Sequence, residues 1–171
     1  RDNYSSATDH AWLAFDIGKK WTLTAGKQSM QLGTFEYDYN GADIYQSTMV
    51  NGDIDMYKTG VNAAFKFSNQ ILNLQVVNSD APQFASGESK NKAFAMNFMW
   101  EGNLFNKTLH TRWGYGLFQH SKSKFYNWLT LGTQVNIKRF TAELDYFLGN
   151  RNMDYGSIVD NNELGLRYVQ D

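Results

Sequence analysis

Several features that would point to a familiar class of protein are missing from this chain. It has no cysteine, which excludes a disulfide framework, a thiol nucleophile and a cysteine-ligated metal. It has one proline, which falls in a predicted loop. Its longest uninterrupted apolar run covers about residues 11–15, far short of a membrane-spanning helix. Its formal net charge of −1 lacks the basic excess that nucleic-acid binding requires.

Aromatic residues, in contrast, are abundant. Phe, Tyr and Trp make up 16% of the chain, although the mean hydropathy of −0.53 is that of a water-soluble protein. A polar average combined with many aromatic residues suits strands that face lipid on one side and water on the other. Aromatic residues also recur near the ends of the predicted strands, where membrane barrels place interfacial girdles.

Apolar and polar residues alternate along nine segments, which predicts β-strands with one apolar face. In the third segment Val61 and Phe65 share the apolar face, while Lys58 and Asn62 share the other. In the second segment the alternation places Lys27 on the apolar face. Either a bulge at Gly26 or a position at the membrane interface would explain that misfit. The predicted strands cover residues 10–18, 21–30, 56–67, 71–78, 92–101, 107–118, 125–137 and 140–148, and a ninth begins at Leu164.

The connections between these strands are alternately short and long. This pattern indicates an antiparallel transmembrane β-barrel, with tight turns on the periplasmic side and longer loops outside. Segments of about nine to eleven residues match a tilted strand that crosses the hydrocarbon layer. The alternative is a soluble β-sandwich, which also alternates apolar and polar residues but has no need to sort its loops by length.

Nine strands do not form a closed barrel of the usual kind, because single-chain bacterial barrels normally have an even number of strands. An open sheet would leave backbone groups unpaired in hydrocarbon. We therefore expect residues 1–171 to be one β-barrel domain and an internal portion of a larger barrel. The alternative is a complete eight-stranded barrel with one strand miscounted. A wider, wetter lumen is favoured by the inward glycines Gly60, Gly114, Gly116, Gly132 and Gly165.

Residues 11–45, AWLAFDIGKKWTLTAGKQSMQLGTFEYDYNGADIY, contain a strand, a basic tight turn, a second strand with TAGKQ, and a long acidic and aromatic loop. This stretch resembles outer-membrane porins of the phosphate-selective porin O and P type, especially their relatives in Bacteroidetes. The later hairpins fit the same plan only generically.

The resemblance implies a barrel of about 16–18 strands around an aqueous channel, usually trimeric, with an inward-folded loop that narrows the pore. Members that select phosphate use lysines and arginines along the lumen. Here the loop 31–55 contains no Lys or Arg, which favours a general or cation-tolerant pore. Its candidate constriction residues are Glu36, Asp38, Asp43, Asp53 and Asp55.

Inward-facing charged residues are the candidates for pore lining, because rings of charged side chains tune the passage of ions. The alternative is that they only keep the lumen wet and pair across strands. The candidates are Lys58, Lys66, His110, Arg112, Glu143, Asp145 and Arg167.

Neither a cofactor nor a catalytic site is predicted. The oxygen-rich spacing at residues 38–43 and 53–55 would suit Ca²⁺, but neither stretch matches the twelve-residue calcium loop. The three histidines lack metal-ligand spacing. No nucleophile has a histidine and an orienting group beside it, so an enzyme is not expected.

The sequence therefore predicts a passive channel for small hydrophilic solutes or ions in the bacterial outer membrane. Membrane lipids and lipopolysaccharide would surround it, and it would form a homotrimer or bind envelope-complex partners. One alternative is a structural or partner-binding barrel within an envelope complex. A second is a soluble β-rich module that binds carbohydrate through exposed aromatic residues.

Overall fold

The computed structural model describes residues 10–39, 56–78, 93–121 and 124–149. Within these ranges the chain forms eight strands and one short 3₁₀ turn, Glu36–Asp38. The strands are β1 (Ala11–Ile17), β2 (Trp21–Ser29), β3 (Tyr57–Phe67), β4 (Gln70–Asn78), β5 (Phe94–Leu104), β6 (Leu109–Ser121), β7 (Lys124–Ile137) and β8 (Phe140–Gly149).

All eight strands belong to one antiparallel sheet in which each strand pairs with its neighbours in the chain. The predicted all-β, antiparallel fold class is confirmed. In the described ranges β1 pairs only with β2 and β8 only with β7, so the sheet is open there. No helix among the described residues has the length and apolar character needed to cross a membrane. The predicted ninth strand lies outside the described residues.

The two faces of the sheet differ sharply, because successive side chains of a strand point to opposite sides. In β5 the exposed residues Phe94, Met96 and Phe98 alternate with buried Ala95 and Asn97. The face that carries the exposed series is called the outer face and the opposite one the inner face. The predicted assignment of residues to faces is confirmed along β3, β4 and β5.

The outer face is rich in large apolar side chains that nothing in the described residues covers. They come from every strand, as an amphipathic transmembrane sheet requires. Examples are Leu13, Phe15, Ile17, Val61, Leu74, Val76, Phe98, Trp113, Tyr115, Leu144, Tyr146 and Leu148, all between 41% and 69% exposed.

The strand boundaries differ from the predicted ones mainly on either side of β6. β5 continues to Leu104, so residues 102–104, which the sequence predicted as part of a turn, belong to the ladder. The reversal instead uses Phe105, Asn106 and Lys107, each with a positive φ. At the other end Ser121 pairs with Lys124, so the predicted polar loop 119–124 is mostly strand.

The connection between β6 and β7 is therefore shorter than the length pattern predicts. The ladder shifts register between Gln119 and Ser121, and pairing continues as far as Ser121 and Lys124. Hydrogen bonding between neighbouring strands keeps residues 119–121 and 124 extended.

The bulge suggested at Gly26 is absent. Both ladders of β2 run through Gly26 without a shift, pairing it with Trp12 on one side and Gly60 on the other. Lys27 therefore keeps its parity on the outer face, two residues before the end of β2. Gly26 is needed for another reason: its φ of +127° disfavours any residue with a side chain.

Candidate functional site

Residues 30–39, which follow β2, lie across the inner face of the sheet; we call them the inner segment. The Gln31 backbone N–H donates to Oε1 of Gln75 in β4 at 3.0 Å. The very next residue, Leu32, accepts at its carbonyl oxygen from the Thr130 hydroxyl in β7. Three strand spacings separate β4 from β7, about 14 Å along a flat sheet. The sheet therefore curls around the inner segment.

The carboxylate of Asp145 in β8 is the principal contact of the inner segment. It accepts from the Thr34 hydroxyl at 2.5 Å and from the backbone N–H groups of Phe35 and Glu36 at 3.2 Å. Thr34 Oγ1 in turn accepts from the Glu36 N–H at 3.1 Å. Hydrogen bonds to a carboxylate are stronger than those between neutral groups, so Asp145 holds three consecutive residues of the segment firmly.

Arg112 in β6 contacts the inner segment at three points. Its guanidinium donates to the Thr34 carbonyl oxygen at 3.2 Å, pairs with Asp38 at 2.8 Å and stacks on the Phe35 ring at 4.7 Å from the centroid. The Arg112 side chain is 27% exposed and that of Asp38 is 55% exposed. The positive charge of Arg112 is thus matched by an acidic group of the segment itself.

A further contact joins the end of the inner segment to β8. The Tyr39 hydroxyl donates to Glu143, which also accepts from Nε2 of Gln134. The hydrogen bond to Glu143 raises the pKa of Tyr39 to about 12, helped by desolvation and by the nearby carboxylates of Glu143, Asp145 and Asp38. The phenol therefore stays protonated and able to donate across the physiological pH range.

Glycines create the space that the main chain of the inner segment occupies. A Cβ on Gly114 would lie 3.2 Å from Gly33 Cα and from the Leu32 carbonyl carbon. A Cβ on Gly132 would lie 3.1 Å from the Gly33 carbonyl oxygen, which accepts from the Gly132 N–H. The wider, wetter lumen that these two glycines, with three others, favour in the sequence stays a prediction; at Gly114 and Gly132 the space beside the strand is occupied by backbone of the inner segment.

Amide side chains form a second polar network on the inner face, between β3 and β5. Asn97 donates to Gln75 at 3.1 Å, and Gln75 donates to the Ser29 carbonyl oxygen at 2.8 Å; both side chains are fully buried. Asn62 donates to Asn73, which donates to Glu101. Sequence reasoning concentrated on charges and missed these residues, although the amides Asn73 and Gln75 at alternate positions of β4 were a visible signal.

The structure places the candidate pore-lining residues at different positions. Arg112, Glu143 and Asp145 meet at the inner segment, whereas Lys58 lies at the start of β3 and is 5% exposed. Lys66 is exposed near the β3–β4 turn. His110 contacts the Lys107 carbonyl oxygen at 2.8 Å beside the β5–β6 turn. Arg167 lies outside the described residues, and the role in pore lining stays a prediction for all seven.

The candidate constriction residues divide in the same way. Glu36 and Asp38 lie in the inner segment, Glu36 8% exposed and Asp38 paired with Arg112. Asp43, Asp53 and Asp55 lie outside the described residues, as does most of both stretches considered for Ca²⁺. Within the described ranges no three His, Cys, Asp or Glu side chains are arranged to hold a metal ion.

Comparison with known families identifies the chain. A model of the family described as phosphate-selective porin O and P matches residues 1–161. The chain belongs to this porin family. Neither a curated protein nor a solved structure gives a match. The family is one of channels rather than enzymes and implies location in the outer membrane of Gram-negative bacteria. The antiparallel sheet of this porin, apolar outside and polar inside, is what such a location requires.

Proposed function

We propose that this porin is an outer-membrane channel through which small hydrophilic solutes and ions diffuse passively. The observation that carries the proposal is the inner segment itself. A polar, hydrogen-bonded stretch of chain lies against the inner face, while the outer face exposes apolar side chains from all eight strands. In a membrane barrel the outer face contacts lipid and the inner face encloses water, so the segment would narrow an aqueous lumen.

The charges around the inner segment favour a general or cation-tolerant channel over a phosphate-selective one. Among the described contacts, three carboxylates, those of Asp38, Glu143 and Asp145, gather there with one guanidinium, that of Arg112. Rings of acidic side chains favour cations, and anion pores use Lys and Arg. Family membership alone therefore does not carry phosphate selectivity over to this porin.

Closure of the channel requires more strands than the eight described. The free edges of β1 and β8 would leave backbone N–H and C=O groups unpaired in hydrocarbon, which costs several kcal/mol per group. We therefore propose that these strands form one wall of a wider barrel, in keeping with the number of strands implied by the resemblance.

Planar-bilayer recording of the purified full-length porin tests the channel. We expect stepwise conductance, and under a KCl gradient a reversal potential whose sign shows cation preference. Addition of phosphate should leave the current unblocked. Correctly folded protein without ion flux would contradict the channel and favour the structural, partner-binding barrel. A strong anion preference would contradict only the proposed selectivity.

A further inference from the structure

The contacts of the inner segment are unevenly distributed along its length. Between Thr34 and Glu36 both Asp145 and Arg112 contact the segment, and Asp145 alone receives three donors from consecutive residues. Two of these donors are backbone N–H groups, which a side-chain substitution in the segment does not remove. Within the inner segment, the backbone at residues 34–36 is therefore held chiefly by one side chain of β8, that of Asp145.

We propose that Asp145 is a positioning residue: its carboxylate holds the inner segment in the glycine-lined seat of β6 and β7 and thereby sets the bore of the channel. The effect on the bore rests on the proposed channel function. The role of Asp145 in holding the inner segment does not. The seat itself is formed by Gly114, Gly132 and the Thr130 hydroxyl, which contact Leu32 and Gly33.

The seat alone does not hold the segment as firmly as Asp145 does. It offers neutral hydrogen bonds, from Thr130 to the Leu32 carbonyl oxygen and from the Gly132 N–H to the Gly33 carbonyl oxygen. Hydrogen bonds to a charged group are about twice as strong as neutral ones. Asp145 also lies on the third strand of this wall, beyond β6 and β7, so it holds the segment across the width of the seat.

Arg112 acts with Asp145 rather than in its place. Its guanidinium contacts the Thr34 carbonyl oxygen and Asp38, while Asp145 contacts the Thr34 hydroxyl. Thr34 is thus held on two sides by groups of opposite charge. Loss of Asp145 would leave the Phe35 N–H without its protein acceptor and the Glu36 N–H with only the neutral Thr34 Oγ1, so the segment would be held less firmly against the wall.

The test measures the accessibility of the inner segment separately from conduction. The chain has no cysteine, so Leu32→Cys introduces a single thiol at a side chain that is only 6% exposed. We expect Asp145→Ala to speed the reaction of that thiol with a charged, water-soluble thiol reagent by about tenfold, the order expected from losing charge-assisted hydrogen bonds. Asp145→Glu keeps the carboxylate, so in that variant the Leu32→Cys thiol should react more slowly than in Asp145→Ala.

Two controls separate positioning from a general loosening of the sheet. Asp16→Asn alters another carboxylate that accepts from a threonine hydroxyl, that of Thr22 at 2.7 Å, without touching the inner segment. It should leave the Leu32→Cys rate unchanged. Ala95→Cys reports from the inner face of β5, three strands away from β8, where the side chain is 0% exposed. Its rate should stay slow in Asp145→Ala; a parallel rise of both rates would mean that Asp145 merely stabilises the sheet.

Conductance of the same variants provides the second measurement. We expect Asp145→Ala to raise or destabilise the single-channel current while Asp16→Asn does not. If Asp145→Ala fails to fold, Thr34→Val removes one donor and leaves β8 intact, and should change both measurements in the same direction. Unchanged thiol reactivity in every folded variant would overturn the proposal. Altered reactivity without ion flux in any variant would support it and contradict the channel instead.

Discussion

At the scale of the residue, the inner face owes its character to a few side chains that satisfy one another. Arg112 has a carboxylate, a carbonyl oxygen and an aromatic ring around its guanidinium. A charge in such surroundings is compensated locally and presents little net field to a passing ion. The chemistry of the site therefore depends on pairings, which the identity of a single residue does not reveal.

Asp38→Asn tests whether Asp38 compensates Arg112. Because the pair is partly exposed, its loss should cost at most about 1 kcal/mol of stability. The freed guanidinium should attract anions, so the cation preference in reversal-potential measurements should weaken. Arg112→Gln should strengthen that preference by removing the cation that pairs with Asp38. A selectivity that is the same in both variants would show that this pair does not face the permeating ions.

The pKa of Tyr39 gives a prediction about pH. Since the pKa is raised from 10.0 to about 12 by the hydrogen bond to Glu143, the contact stabilises the folded state in full below pH 10 and is lost as the pH rises through 12. Ultraviolet absorbance of tyrosinate, taken as the difference from Tyr39→Phe, should show this late titration. Glu143→Gln should move it back toward pH 10, and an unshifted curve would disprove the contact.

At the scale of the element, the packing of the inner segment depends on backbone as much as on side chains. Gly33 has a φ of +75°, and a Cβ there would lie 2.5 Å from Thr130 Oγ1 and 2.6 Å from the Gly114 nitrogen. Sequence periodicity predicted the flanking strands well but gave no period for this segment. Its position is determined by partners in β4, β6 and β8 that lie 44, 78 and 111 residues later in the chain.

Gly33→Ala should displace the inner segment, because it adds a clash with the sheet to the strain of a left-handed backbone. The strain alone costs about 1–2 kcal/mol. Gly18→Ala is a matched control, since Gly18 has a φ of +66° and nothing within 4 Å of an added Cβ. Urea unfolding should show a larger loss for Gly33→Ala, and only that variant should change the single-channel conductance. Equal losses would mean that the close approach is unimportant.

At the scale of the whole molecule, the two faces of the sheet determine which solvent each side meets. The outer face presents apolar side chains at the middle of the strands, as at the cross-strand pair of Leu74 and Phe98. A soluble sandwich would cover such residues with a second sheet. Membership of the porin family indicates that the lipid bilayer covers these residues instead.

Leu74→Arg places a charge at the middle of β4, between Gln70 and Asn78, and should cost about 2–4 kcal/mol of folding free energy in a bilayer. Ile137→Arg makes a comparable change on the outer face at the last residue of β7 and should cost only about 0–1 kcal/mol. Urea titration of protein folded into lipid vesicles measures both. Equal costs would contradict a membrane-spanning orientation of these strands.

The sequence by itself determined the class of fold and the assignment of residues to faces. Both depend on local regularity, because side chains alternate every second residue and a strand needs no distant information to do so. That is why β3 and β4 were predicted to within one residue of their observed ends. The same alternation placed Arg112, Glu143 and Asp145 on one face before their partners were known.

Only the tertiary structure decided where the inner segment lies and what its neighbours are. The contacts of Asp145 with Thr34, Phe35 and Glu36 join residues more than 100 positions apart, and Gly114 and Gly132 acquire their meaning only when the Gly33 backbone rests against them. Such contacts depend on the curl of a sheet of several strands. The alternation along a strand does not specify that curl. The sequence pattern could therefore identify the candidate residues but not show which of them contact one another.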